Sequence, residues 1–287
     1  MPRSTDIALT ALAPAIWGST YLVTTELLAG WDSLTLAFLR ALPAGLLLLA
    51  VMRALPQGIW WARALVLGVL NFAFFWVMLF ISAHRLPGGV AATVGAIQPL
   101  FVLLLAGPAL GAVIRPAAVA AALAGMLGVA LLVLAPGAGL DMPGIAAGLA
   151  GAVAMAGGTV LTRKWQPPVP LLTFTAWQLT AGGLVLLPFL LWAHPGLPEL
   201  TARGMTGLVY LGLIGAAGTY ILWFRGIARL GPGVVAPLGL LSPVSAVLLG
   251  WVVLGQTLSP LQILGMAVVI GSIVASQFLQ PPAPAKA

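Results

Sequence analysis

Apolar blocks of about twenty residues alternate along the chain with short interruptions of Gly, Pro and charge. A helix needs about 20 mostly apolar residues to cross a bilayer. The blocks predict such helices at 7–28, 33–52, 61–82, 88–107, 116–134, 144–163, 171–192, 205–224, 232–251 and 260–279. The linkers are short, 29–32, 53–60, 83–87, 193–204 and 255–259 among them, and none could hold a soluble domain. Only 280–287 reads as a disordered tail.

Composition agrees with that pattern. Hydrophobic residues make up 61% of the 287, charged residues 6%, and mean hydropathy is +1.13. An ordinary globular chain carries about 25% charged residues, so no soluble surface can be built from this one. A porin-like barrel would need short alternating strands instead. With Cys 0, disulfides, iron–sulfur clusters and cysteine chemistry are excluded. The net charge of +7 rests on a shortage of acids, and no basic run exceeds Arg163–Lys164. Nucleic acid, which requires a clustered basic face, is therefore not an expected partner. Ala11-Leu12-Ala13 resembles a signal-cleavage triplet, but too few apolar residues precede it, and no cleaved leader is expected.

Charge then orients the spans. With a cytoplasmic N-terminus, the inner side receives Arg3, Arg53, Arg63, Arg115, Arg163, Lys164, Arg225, Arg229 and Lys286, and the outer side only Arg85 and Arg203. The positive-inside rule demands that direction. Glu26, Asp32, Asp141 and Glu199 fall outside and Asp6 inside. Both termini are expected in the cytoplasm, the chain being a multi-pass protein of a bacterial inner membrane.

The chain also matches itself. At an offset of 144 residues, thirteen of the 39 positions from 67 to 105 are identical to 211–249, against roughly four expected from composition. Arg85/Arg229, Gly95/Gly239 and Pro99/Pro243 are among the pairs, so shared greasiness does not explain the match. Weaker echoes pair Gly18–Thr20 with Gly157–Thr159 and Arg40–Gly45 with Gln178–Gly183. Five spans per repeat is an odd number, so the second half (140–279) enters the membrane inverted relative to the first (1–139). The predicted fold is all-α and polytopic, ten transmembrane helices as two inverted five-helix repeats. Many secondary transporters are built this way, with the site near the midplane at the repeat interface.

The chain resembles the drug/metabolite transporter superfamily, EamA-type. The likeness rests on the ten spans in two halves, Trp17-Gly18-Ser19-Thr20, Arg40, Pro99, Pro243 and the Gly265…Gly271 spacing. Within it the chain is most similar to the YddG-type exporters of aromatic and other neutral amino acids. One departure is Leu254-Gly255-Gln256, where the family pattern carries Glu in place of Gln. The resemblance implies a central cavity enclosed by spans one to four and six to nine. Spans five and ten would pack outside, and spans four and nine would bend as gates.

Arg40 is the one charge clearly inside an apolar span. Such a charge costs about 2.5–3.5 kcal/mol on insertion scales and must face protein, carbonyls or water. It reads either as an anchor for a substrate carboxylate or as a snorkelling residue bound to loop carbonyls. Ser19, Thr20, Asn71, Thr93, Gln98, Thr159, Gln178, Thr219 and Ser242 are polar within spans. They serve either the cavity or interhelical hydrogen bonds.

Aromatics crowd spans three and eight. Trp17, Phe75, Trp76, Tyr220 and Trp223 are cavity candidates, whereas Trp31, Trp60, Trp61 and Trp192 at span ends read as interfacial anchors. Gly95, Pro99, Pro237, Gly239 and Pro243 mark hinges, because Pro removes a helical hydrogen bond. Neither an intramembrane acid nor a deep His is available for ion coupling, since His84 and His194 fall at loop boundaries. No metal, cofactor or enzymatic activity is expected, since H-E-x-x-H and nucleophile–base pairs are missing. The reading is export of small zwitterionic amino acids by a monomer in the lipid bilayer, by alternating access without obligatory ion coupling. Efflux of lipophilic cations and a channel are the rivals.

Overall fold

The computed structural model describes residues 3–86, 88–133, 141–193 and 200–279, and regular structure there is entirely helical. The first half opens with α1 (Arg3–Leu27) and α2 (Ser33–Met52). Its third span is α3 (Trp60–Gly68), a π-helical segment (Val69–Ala73) and α4 (Phe74–Arg85). Its fourth is α5 (Gly88–Gly95) and α6 (Gln98–Leu110), and its fifth is α7 (Pro116–Val133). The second half begins with α8 (Met142–Lys164) and α9 (Leu171–Ala193). The eighth span is α10 (Ala202–Val209), a π-helical segment (Tyr210–Gly218) and α11 (Thr219–Leu230). The ninth is α12 (Pro232–Leu238) and α13 (Leu241–Leu254), and α14 (Pro260–Leu279) ends the bundle. Nine of these stretches, among the described residues, are long and apolar enough to cross a membrane, and α7 is a shorter apolar helix.

Local chemistry sets the ends. Asp32 caps α2 by accepting from the Leu34 and Thr35 amides, and Asp141 caps α8 through Gly144 N–H. Such caps satisfy amides that the helix itself leaves unpaired. Spans four and nine both stop at a left-handed glycine, Gly111 (φ 68°) and Gly255 (φ 66°), which are repeat-equivalent. A side chain there would meet the steric penalty that glycine lacks. Gln256, the departure from the family pattern, folds back over Gly250.

The halves interlock rather than sit side by side. The packing pairs α2 with α9 and α7 with α14, each a helix with its repeat counterpart, while α1 lies on α11 and α13 and α8 lies on α4 and α6. Glycine permits the closest approaches. A Cβ on Gly45 would stand 2.5 Å from Thr180 N, and one on Gly265 would stand 2.6 Å from Leu132 N. In lipid, where the hydrophobic effect between helices vanishes, such backbone proximity supplies the packing attraction.

The inversion is visible in the charges. Arg3 donates to Gln277 O at 3.0 Å, so α1 begins where α14 ends. Arg229 meets Asp6 at 3.4 Å at that same end, whereas its repeat-equivalent Arg85 meets Asp141 at 3.5 Å at the opposite end. The two five-helix repeats are thus inverted about a central cavity. His194, Glu199, Lys286 and the predicted tail 280–287 lie outside the described residues, as does the 139/140 boundary.

Candidate functional site

A cavity of about 630 Å³ occupies the centre of the bundle. Its mouth carries 28–31 and His84, at the end opposite α1's start. The floor is aromatic. Trp17 lies 5.0 Å from both Tyr220 and Trp223 between ring centroids, and Phe72 lies 4.5 Å from Tyr220. Trp17 Nε1 donates to Thr219 Oγ1 at 2.8 Å, so that half-buried indole keeps its hydrogen bond.

Arg40 reaches this floor from α2 and is only 3% exposed. Its guanidinium carbon sits 4.5 Å from the Trp76 ring centroid, and Nη2 donates to Gly215 O at 2.8 Å. Gly215 belongs to the π-helical segment of span eight. The snorkelling alternative is not met as stated: Arg40 does not snorkel, and the carbonyl it binds belongs to a helix interior rather than a loop. It does line the cavity.

The other predicted positions divide. Thr20, Phe75, Trp76, Gln98, Tyr220 and Ser242 join Trp17 and Arg40 in the wall, together with the hinge residues Gly95, Pro99, Gly239 and Pro243. Helix breaks fall at 96–97 and 239–240, where the hinge residues sit. Thr93, Thr159, Thr219, Trp223 and Pro237 lie off the wall. Ser19 hydrogen-bonds Tyr210 Oη at 2.6 Å. Asn71 Nδ2 donates to Gln178 Oε1 at 2.8 Å, with both residues sealed from the cavity at 1% and 0% exposure. These polar groups hold helices together.

Sequence reasoning missed several wall residues. Gly148, Gly151, Ala152 and Met155 present one face of α8 to the cavity. Their helical spacing was readable, but small residues carry no chemical signal. Trp31, expected as an interfacial anchor, is 6% exposed and lines the mouth. Trp61 and Trp192, by contrast, are largely exposed, as anchors should be. Thr24 Oγ1, Ser82 Oγ and Gln98 Nε2 face the cavity region without a protein partner among the described residues. No group of three His, Asp or Glu side chains fit for a metal occurs among the described residues.

Below the floor the bundle is shut. Val102 and Ala106 of α6, Ala156 and Val160 of α8 and Ala236 of α12 form an apolar plug. Arg163 donates to the Ala228 carbonyl at the end of α11, and Asp6 pairs with Arg225 and Arg229. One end is open and the other closed.

The EamA-like transporter family matches this sequence twice, over residues 5–134 and 142–276. Protein PecM of Dickeya dadantii is 42% identical over 268 residues, covering 92% of this chain and 90% of that one. The Escherichia coli K12 protein YedA, an uncharacterized inner membrane transporter, is 28% identical over 90% of this chain and 86% of its own. A probable terminal-alkyne amino-acid exporter of Streptantibioticus cattleyicolor is 28% identical over 72% of this chain and 70% of its own. A solved crystal structure superimposes with a TM-score of 0.81 at 23% identity, covering 97% of this chain and 98% of that one, and bears on the fold alone.

Proposed function

The chain belongs to the EamA-like transporter family, and on that premise we propose that it exports small zwitterionic metabolites, foremost aromatic and other neutral amino acids. The observation that carries this reading is the buried Arg40 guanidinium beside the aromatic rings of a wall whose other polar side chains are hydroxyls, one amide and His84. A guanidinium is matched by a carboxylate through paired, charge-assisted hydrogen bonds. The surrounding rings take up an apolar side chain, and their π faces attract an ammonium group. Nucleotide sugars or phosphorylated metabolites would need several such cations. A lipophilic cation would want a carboxylate, and the wall has none among the described residues.

The termini lie in the cytoplasm in this reading, so the open mouth faces outward and the plugged end inward. The repeats 1–139 and 140–279 exchange these roles during alternating access. Transport runs down the substrate gradient without obligatory proton or sodium coupling, and the monomer is the working unit. Counterflow in proteoliposomes with amino acids, lipophilic cations and nucleosides tests the class. Saturable exchange of neutral amino acids is the expected result, and exchange of cations alone would overturn it. Alkalinisation inside the vesicles driven by substrate would overturn the uncoupled mechanism.

A further inference from the structure

We propose that a substrate carboxylate at Arg40 promotes opening of the closed end, so that the loaded carrier reopens it faster than the empty one, because the guanidinium that would meet the carboxylate also fastens the π-helical segment of span eight. This inference rests on the amino-acid reading above and sharpens it to one chemical group.

The inverted repeat makes a pair of contacts equivalent. Arg40 aligns with Gln178, and Asn71 aligns with Gly215 at the 144-residue offset. Arg40 of α2 donates to Gly215 O at 2.8 Å, and Gln178 of α9 accepts from Asn71 Nδ2 at 2.8 Å. Each contact ties a second-position span to the π-helical segment of the third-position span of the other half. A π-helical turn interrupts the regular hydrogen-bond ladder, and such turns recur at functional sites. These two segments are therefore matching weak points, and each carries one such tie beside a tyrosine contact, Ser19 with Tyr210 Oη in span eight and Tyr220 Oη donating to Asn71 O in span three.

The two contacts differ in what can reach them. Asn71 and Gln178 are both sealed from the cavity, so a ligand cannot disturb the tie. Arg40 lines the cavity, with Trp76 holding the guanidinium plane at 4.5 Å. A carboxylate offers that guanidinium a paired, charge-assisted partner, stronger than one neutral backbone carbonyl. A carboxamide or an amine does not. Binding of the acid thus weakens the Gly215 tie, while the Asn71–Gln178 tie is untouched.

Beyond the loosened segment lies α11, which carries the polar part of the closure beside the apolar plug. Arg225 and Arg229 pair with Asp6, and Arg163 grips the Ala228 carbonyl. A ligand shifts a conformational equilibrium only by its differential affinity for the two states. Here the difference is supplied by the Gly215 carbonyl, which competes for Arg40 in the closed state and not in the open one. The asymmetry between Arg40 and Gln178 gives the cycle a step that answers to substrate and another that does not.

The test uses the full chain in proteoliposomes, spin-labelled across the closed end, with L-phenylalanine and L-phenylalaninamide as probes. Wild type should open more with the acid than with the amide or with no ligand. R40Q, which copies the repeat-equivalent residue, should bind both alike, with the acid weakened roughly ten- to hundredfold, the range of a lost charge-assisted hydrogen bond. G215V is the second variant, since a Cβ there already stands 3.4 Å from Arg40 Nη2 and the branched methyls beyond it would crowd the guanidinium on the carbonyl. It should open more often without ligand yet still prefer acid to amide. Equal opening of wild type by both probes, retained discrimination in R40Q, or unchanged ligand-free opening in G215V overturns the inference. If both probes are exchanged equally well, the amino-acid reading stands and this coupling falls. If wild type exchanges no amino acid at all, both fall.

Discussion

Trp76 and Tyr220 stand 144 residues apart in sequence and meet edge-on across the cavity floor, ring centroids 6.1 Å apart. They are repeat-equivalent, so their contact places the pseudo-two-fold axis through the floor. A symmetric frame makes each departure from symmetry informative. Phe72 and Phe224 join the same stack, whereas the one charge there, Arg40, has a neutral amide as its counterpart. The fold is shared between the halves, and the buried charge at the floor is carried by one of them.

Trp76 supports that charge directly. Trp76→Ala would remove the ring beneath the guanidinium, and a cation–π contact contributes about 0.5–2 kcal/mol. Half-saturation for an aromatic amino acid should rise roughly three- to thirtyfold, while Trp76→Phe should recover most of it. Counterflow titration checks this, and an unchanged half-saturation in Trp76→Ala would remove the ring from the binding wall.

Glycine substitutions separate packing from the cavity. A methyl on Gly45 would land 2.5 Å from Thr180 N in the α2–α9 contact, whereas one on Gly95 would meet nothing within 4 Å. Overpacking of this kind costs about 1–3 kcal/mol or more. Gly45→Ala should therefore lower the melting temperature in detergent, and Gly95→Ala should leave it near wild type. Gly95 lines the cavity at the α5–α6 break, so its methyl should slow exchange despite normal stability. Normal exchange in Gly95→Ala, or normal melting in Gly45→Ala, would contradict the placement.

Much of this architecture was legible in the chain. Span positions follow from block length, and the repeat follows from shared Gly, Pro and Arg, which composition alone does not produce. The Gly95/Pro99 and Gly239/Pro243 hinges fall at real helix breaks because proline's missing N–H is a local property. The π-helical segments were not legible. Val69–Ala73 and Tyr210–Gly218 read as ordinary apolar helix, since their register depends on partners such as Arg40 and Gln178 that only the fold brings near. For the same reason Asn71 and Gln178 looked like cavity amides and are instead partners of each other.

That pairing has its own consequence. Asn71→Ala would leave the Gln178 carbonyl oxygen buried without its donor, at a cost of about 1–3 kcal/mol. The melting temperature should fall, but the preference for a carboxylate over a carboxamide should persist, because the contact is closed to ligand. Loss of that preference in Asn71→Ala would show the two ties to be less independent than the structure has them.

The last contrast concerns the ion pairs at the two ends. Asp6 with Arg229 and Asp141 with Arg85 join the same kinds of helix ends, an acid opening the first helix of one half and the arginine closing the third span of the other. Their surroundings differ. The Asp6 side chain is 9% exposed and shares a second arginine, Arg225, whereas Arg85 and Asp141 are 52% and 37% exposed. An exposed pair contributes about 0–1 kcal/mol, because water competes with it, while breaking a buried one costs about 3–5 kcal/mol by stranding its partner. Asp6→Asn should therefore destabilise strongly, and Arg85→Gln, which leaves the Asp141 cap on α8 intact, should barely register. The Asp6 variant should also loosen the closed end. Thr10 packs there against Gly226, and with Cys 0 in the native chain a Thr10→Cys probe is unambiguous. Its maleimide labelling should accelerate several-fold in the Asp6→Asn background and stay unchanged with Arg85→Gln. Equal labelling in both would mean that the apolar plug of Val102, Ala106, Ala156, Val160 and Ala236 seals the end by itself.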